Sequence, residues 1–238
     1  MSVIYFDIAN ILNQVYSSGS NIQLCFPELT KMNDSDYNEA GRSIVNTFGG
    51  GGRGGFKFTY QNLNCIYTHP KTGGKVFIGN LSAANTKSEL EENKITRIVN
   101  CQEPESRNFF ESDPKFKYYR FNIASYRVDV YNFKPESSNE ALVFFLDYFE
   151  WVDKSLEGGE SVLVHCLAGA HRAGTAGISY YMWRKSLENG GTKVNHLQCI
   201  SDIKQLRPIV NPIGQFTPLL AKLERGINKK MGLLSWTE

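Results

Sequence analysis

The sequence predicts an α/β fold: a central, mainly parallel sheet flanked by helices. Three observations carry that expectation. Short apolar runs bounded by turn residues alternate with longer segments of helical periodicity from about residue 64 to residue 230. The run Val162-Leu163-Val164, after the turn-like Gly158-Gly159, has the continuous apolar character of a buried strand. It passes through a stretch of small residues into an apolar, aromatic segment, Thr175 through Leu187, that can form a helix.

Taken in order, residues 2–17 space Ile4, Ile8, Ile11, Leu12 and Val15 as a short amphipathic helix would. Polar sequence follows, and then Thr47-Phe-Gly-Gly-Gly-Gly-Arg-Gly-Gly55. Its six glycines suit neither helix nor strand, so it reads as a flexible linker. A glycine-rich phosphate loop or an Arg-Gly RNA-binding segment is the weaker alternative, because only one arginine and no Gly-Lys-Ser/Thr accompany the glycines. The expected organisation is an N-terminal extension (1–55), a catalytic domain (56–230) and a short tail (231–238). Within the domain, Cys65–Tyr67 and Lys75–Ile78 read as strands either side of the turn His69–Gly74. Ser82–Asn93 reads as a helix capped by Asn80 or Ser82. Thr96–Val99 and Tyr118–Ile123 are further strands. Glu136–Leu156 is a long helix whose face is marked by Ala141, Leu142, Phe145, Leu146, Phe149 and Val152. After the Val162–Val164 strand come helices at Thr175–Leu187, Asn195–Leu206 and Pro218–Lys229.

The chemistry concentrates in residues 161–177. A strand leading through a small-residue loop to a helix N-terminus aims backbone N–H groups and the positive end of a dipole at one point. Cys166 opens that loop, where the same field favours thiolate over thiol. Arg172 closes it, and its planar fork can hold two oxygens of a phosphate. Leu167, Ala168, Gly169, Ala170 and His171 lie between them and would supply the amides. The competing reading is a buried cysteine in an ordinary strand-to-helix turn; His165, the apolar strand, Gly169 and Gly174 weigh against it.

The stretch His165-Cys166-x5-Arg172 resembles the signature of the cysteine-dependent protein phosphatases. Ile78-Gly-Asn-Leu-Ser-Ala-Ala…Ile-Val-Asn100 is similar to the opening of the dual-specificity phosphatase domain, and Leu206-Arg-Pro-Ile-Val-Asn-Pro-Ile-Gly-Gln-Phe216 to its closing segment. These matches cover about residues 64–230, whereas residues 1–55 match nothing recognisable. The resemblance implies a protein-tyrosine-phosphatase-like fold and an enzyme acting on phosphotyrosine and phosphoserine/threonine of protein substrates. Cys166 would attack phosphorus to form a phosphocysteine, with Arg172 and the amides of 167–172 holding the oxygens, and His165 supporting the loop. No cofactor or metal is implied.

The same resemblance exposes departures. The family's usual general-acid position falls on Arg127. Asp129 is the only carboxylate within reach and is assigned the role, against the alternative of a solvated loop aspartate or helix cap. Ala173 stands where most relatives carry a serine or threonine that helps the thiolate leave, as in the slow phosphatases of regenerating liver; Thr175 is a partial substitute. Ile213 stands where the closing motif usually has asparagine. Cys101 occupies a position that in some relatives forms a disulfide with the catalytic cysteine, although a free buried thiol is the commoner case. His171 either lines the pocket mouth or points outward. Rival functions are a weakly active phosphoprotein-binding module, or a phosphatase of phosphoinositide, glycan phosphate or RNA 5′-triphosphate.

Bulk properties narrow the classes. With 238 residues, 41% apolar and 21% charged, the chain can bury a sizeable core. A formal net charge of +2 gives no broad electrostatic case for nucleic acid or anionic membrane. Five scattered cysteines without Cys-x2-Cys spacing read as reduced thiols of a cytoplasmic protein, with the nucleus open as well. No signal peptide, prenylation box or membrane anchor is expected from the termini or the short apolar runs.

Overall fold

The computed structural model describes residues 32–48, 60–126, 136–188 and 193–232. The helix expected over 2–17, the glycines at 49–55 and the loop carrying Arg127 and Asp129 lie outside those residues.

Five strands form one sheet in the order β1-β2-β5-β3-β4: β1 (Leu63–Thr68), β2 (Lys75–Gly79), β3 (Ile95–Asn100), β4 (Lys117–Arg120) and β5 (Ser161–His165). β1 and β2 form the expected antiparallel hairpin, whose turn is closed by His69 N donating to Gly74 O at 2.8 Å. Every other pairing is parallel, so the mainly parallel sheet read from the sequence is the one observed. All of β5 is buried, which is why it carries no polar alternation. Val162 and Val164 turn to one face and Leu163 to the other.

The larger core lies on the Val162/Val164 face, beneath α4 (Glu136–Glu157), α5 (Arg172–Glu188) and α7 (Phe216–Lys230). Aromatic rings fill much of it: Phe121 stacks on Tyr148 at 4.6 Å and Phe145 on Phe149 at 5.5 Å between centroids. The smaller core, on the Leu163 face, joins Phe77, Ile95 and Ile98 to Ala83, Ala84 and Leu90. α6 (His196–Leu206) is capped by Asn195, whose side chain accepts from Gln198 N at 2.9 Å.

Four elements differ from expectation. The helix expected at Ser82–Asn93 is two short ones, α2 (Leu81–Asn85) and α3 (Lys87–Glu92), parted by Thr86 in extended conformation. The strand expected to reach Ile123 ends at Arg120, and Ile123–Ser125 turn as a single 3-10 turn. α5 begins at Arg172 rather than Thr175. Inside the polar stretch of the extension lies a helix, α1 (Asp34–Phe48), and its Tyr37 belongs to the main core, stacked on Phe216 with centroids 4.4 Å apart. A reciprocal pair starts α1: Asn33 N donates to Asp36 Oδ2 at 2.8 Å, and Asp36 N to Asn33 Oδ1 at 3.1 Å.

α5 approaches the sheet closely because Gly177 has no side chain. A Cβ there would fall 2.5 Å from Ile78 Cδ1, and Ile78 is fully buried. Gly177→Ala is expected to destabilise the protein by about 1–3 kcal/mol through overpacking, read as a lower urea midpoint at unchanged m-value.

Candidate active site

Parallel register makes β2, β5 and β3 end level: Gly79 and Asn100 both pair with His165. The chain leaves β5 at His165, loops through Cys166–His171 and enters α5 at Arg172. The predicted nucleophile and clamp thus sit at the C-terminal edge of a parallel sheet, where side-chain chemistry is most often mounted in open α/β folds.

The loop's shape is set by where its carbonyls go. Leu167 O accepts from Leu81 N at 3.0 Å, and Ala170 O from Asn211 N at 3.0 Å. Ala168 O accepts from the Tyr60 hydroxyl at 2.9 Å and from Arg207 Nη2 at 3.3 Å; Gly169 O accepts from Arg207 Nε at 2.8 Å. His171 O is taken by Thr175 N and by the Thr175 hydroxyl, at 2.8 and 2.7 Å. Five successive carbonyls are therefore held by partners around the loop. Among the described residues none accepts a hydrogen bond from the amides of 167–171, and unpaired amides on successive residues make an anion cradle. Gly169 is required at φ +66°, and a Cβ on it would lie 2.5 Å from Gly79 O.

Two buried guanidiniums serve this loop differently. Among the described residues Arg207 has only neutral acceptors, adding Gln61 O at 3.0 Å and Asn64 Oδ1 at 2.7 Å to the loop carbonyls. Burial pulls it down to about 10, opposed in part by Tyr60 and Cys166, so it remains a cation at neutral pH. Arg172 is surrounded by acid. Its Nη1 donates to Asp34 Oδ1 at 2.7 Å and to Glu103 Oε2 at 3.2 Å, while Nη2 donates to Asn38 Oδ1. Burial acts to lower Arg172, but the negative charges of Cys166, Asp34 and Glu103 outweigh it and leave it raised. Glu103 is held below the usual carboxylate range: burial pushes it up, but hydrogen bonds from its own backbone, Asn38 and Arg172 prevail.

The His165 ring is buried and is hydrogen-bonded to the Cys166 backbone at the start of the loop, while its Nδ1 has no partner among the described residues. Burial pushes it down to about 3, and a neutral imidazole results. His171 points inward rather than out: Nδ1 lies 2.6 Å from Asn211 O, and the ring borders a cavity beside α1. Thr175 donates its hydroxyl proton to His171 O, so it is not free to replace the hydroxyl missing at Ala173. Cys101 N donates to His165 O at 2.9 Å, which puts Cys101 beside the start of the loop; both it and Cys166 are buried free thiols. Burial, followed by the nearby Cys166 charge, pushes the Cys101 thiol well up. Asp129 lies outside the described residues, but the backbone leading to it is held, with Gln215 Nε2 donating to Ala124 O at 3.2 Å and Tyr126 O at 3.4 Å. Sequence reasoning missed Glu103, Asp34, Asn38 and Tyr60. Of these, Glu103 had a usable signal, because it lies three residues beyond a strand end level with His165.

The sequence model for "Dual specificity phosphatase, catalytic domain" matches residues 76–225, more than half of the chain. The chain belongs to the dual specificity phosphatase family. Dual specificity protein phosphatase Mpk3 of Drosophila melanogaster is 23% identical over 159 residues, which span 67% of this chain and 34% of that protein. A probable dual specificity protein phosphatase of Dictyostelium discoideum is 25% identical over 167 residues, 67% of this chain and 65% of the other. The chain thus spans a third to two thirds of the length of these relatives. Among solved structures, the Yvh1 phosphatase domain from Chaetomium thermophilum covers 73% of the chain at a TM-score of 0.50 and 21% identity, spanning 99% of that domain. A leucine rich repeat and phosphatase domain containing protein from Entamoeba histolytica covers 71% at 0.51 and 13% identity, spanning 94% of the solved chain. These likenesses support the fold. Among the described residues no helix is long and apolar enough to cross a membrane.

The neutral His165 has a measurable consequence for the stability of this chain. Its folded pKa, about 3, lies below the ordinary 6.5 of an unfolded chain. Below pH 6.5 only the unfolded state takes up this proton, so the stabilisation is complete above that pH and is lost as pH falls toward 3. The loss should approach about 1.4 kcal/mol per pH unit for this one group. Urea unfolding from pH 7 to 4.5 should show wild type losing stability more steeply than His165→Gln; equal slopes would remove His165 from the account.

Proposed function

We propose that the protein hydrolyses phosphate monoesters of tyrosine and serine/threonine in phosphorylated proteins, through a phosphocysteine on Cys166. The observation that carries this reading is the loop itself: a cysteine at its start, an arginine at its end and five carbonyls drawn away from the cradle, in a chain of the dual specificity phosphatase family. In the reaction, the Cys166 thiolate attacks phosphorus in line and the S–P bond forms as the ester P–O bond breaks. Arg172 and the loop amides hold the equatorial oxygens through the transition state. Asp129 delivers the proton to the leaving oxygen. Water then attacks the phosphocysteine, the S–P bond breaks and inorganic phosphate leaves. His165, neutral and buried, takes no part as a base.

Ala173 and the committed Thr175 hydroxyl bear on the second step. The departing thiolate would find neither side chain donating to it, whereas attack on the substrate uses the amides, Arg172 and the acid. Breakdown of the intermediate is accordingly the slow step. Cys101, beside the loop's start, supports a further reading in which mild peroxide joins it to Cys166 and shields the nucleophile from irreversible oxidation.

The test is turnover of a small aryl phosphate by the full chain. Wild type is expected to release a burst approaching one product per site and then turn over slowly; Cys166→Ser should abolish both phases. Ala173→Ser should speed the slow phase on the order of tenfold while leaving the burst rate nearly unchanged. Full hydrolysis by Cys166→Ser would refute the mechanism; the absence of a burst, with turnover indifferent to Ala173→Ser, would mean that Thr175 or a water already does that job or that attack is limiting.

A further inference from the structure

The anion cradle is closed. Cys166 is 3% exposed, Ala170 0% and Arg172 1%, although a phosphate must reach all of them. α1 lies over Leu167, Ala168 and Arg172, and a hydrogen bond from His171 to the Ala40 backbone adds to the contacts that follow. Tyr37 stacks on Phe216. The backbone at Gly41 lies on the loop, where a Cβ would stand 3.3 Å from Leu167 Cδ2 and 3.6 Å from Ala168 Cβ. Asp34 and Asn38 fill the Arg172 fork, and Asn38 Nδ2 also donates to Glu103 Oε2 at 3.3 Å. A carboxylate on Arg172 makes the interaction a phosphate oxygen would make, and it opposes the approach of a dianion.

The docking is slight. In α1 only Tyr37 and Gly41 are buried. Phe48, at the end of α1, is 42% exposed, and a cavity of about 240 Å³ lies between Ala40 and Ile44 on its flank and His171, Asn211 and Ile213. The ring, the glycine and the ionic cluster are joined by hydrogen bonds of Tyr37 to the Gln215 backbone and of His171 to the Ala40 backbone, and α1 contributes nothing to the five-stranded sheet itself.

We infer that α1 is an inhibitory cover of the active site: Asp34 and Asn38 occupy the phosphate clamp, and substrate binds only when the helix lifts. This regulation rests on the phosphatase reading above. A cover that competes with substrate within one chain raises KM by the ratio of covered to open protein and leaves kcat unchanged. A carboxylate that instead positions Arg172 for catalysis would lower kcat when removed.

The experiment compares the wild-type chain with two variants, Asp34→Ala/Asn38→Ala, which removes the side chains that α1 places in the clamp, and Gly41→Leu, which favours helix but cannot seat on the loop. Both should lower KM for a small aryl phosphate by about tenfold or more at unchanged kcat. Both should also speed alkylation of Cys166 by iodoacetate by a similar factor, with inorganic phosphate protecting the variants more than wild type. Unchanged KM and alkylation in both variants, or a fall in kcat, would overturn the cover. If no form hydrolyses the ester, the phosphatase reading fails, and the alkylation rates alone still decide whether α1 shields the thiol.

Discussion

A loop can turn successive N–H groups toward one centre only if its carbonyls are bonded somewhere else. Here that requirement is met from four directions. Leu81 reaches in from the start of α2, Tyr60 from ahead of β1, Arg207 from the end of α6 and Asn211 from the segment after it. Losing one such partner exposes a buried acceptor and frees its peptide to rotate, so the partners act as one frame. The level strand ends of β2, β5 and β3 give that frame its base. Gly169, with its positive φ and its closeness to Gly79 O, is the one position where the frame tolerates no side chain.

Charge is divided within this frame. Arg207 sits among carbonyls and amide oxygens, a buried cation without a carboxylate, and contributes a standing positive potential on one side of the loop. Arg172 carries two carboxylates and an amide oxygen. Exchanging their partners would place acid against the loop carbonyls and leave the clamp unbalanced. Glu103 tethers Arg172 from the loop that follows β3, while Asp34 does so from the first turn of α1. The two carboxylates therefore differ in how readily each can be withdrawn.

Much of this was legible beforehand, for identifiable reasons. β5 and the nucleophile loop are local signals: an uninterrupted apolar run, then small residues, then a helix. Helix boundaries slipped where tertiary demand overrode pattern, as at Thr86, where an extended residue divides a stretch that reads as continuous helix. α1 was missed because its apolar face is sparse, only Tyr37 and Gly41 being buried. Its Asn33–Asp36 capping pair was nonetheless present in the sequence. Asn38 and Tyr60 carry no local mark at all; they matter through contacts made 65 to 134 residues away. Such roles emerge only from topology. Ala173 stood out in the sequence by its place after the arginine, but that Thr175 could not stand in for a hydroxyl there depended on a hydrogen bond within the first turn of α5.

Arg207 lies 38 residues beyond the glycine whose carbonyl it holds. During synthesis, β5 and the cysteine therefore leave the ribosome well before the side chain that shapes the loop around them. A nascent chain that stops short of α6 carries the nucleophile on a strand but lacks the cradle that would make it reactive toward phosphate. The shape of the loop thus waits on residue 207, and a chain truncated before it holds Cys166 without the partner that fixes the Gly169 carbonyl. The order of elements along the chain therefore makes the cradle one of the last features of the fold to take shape.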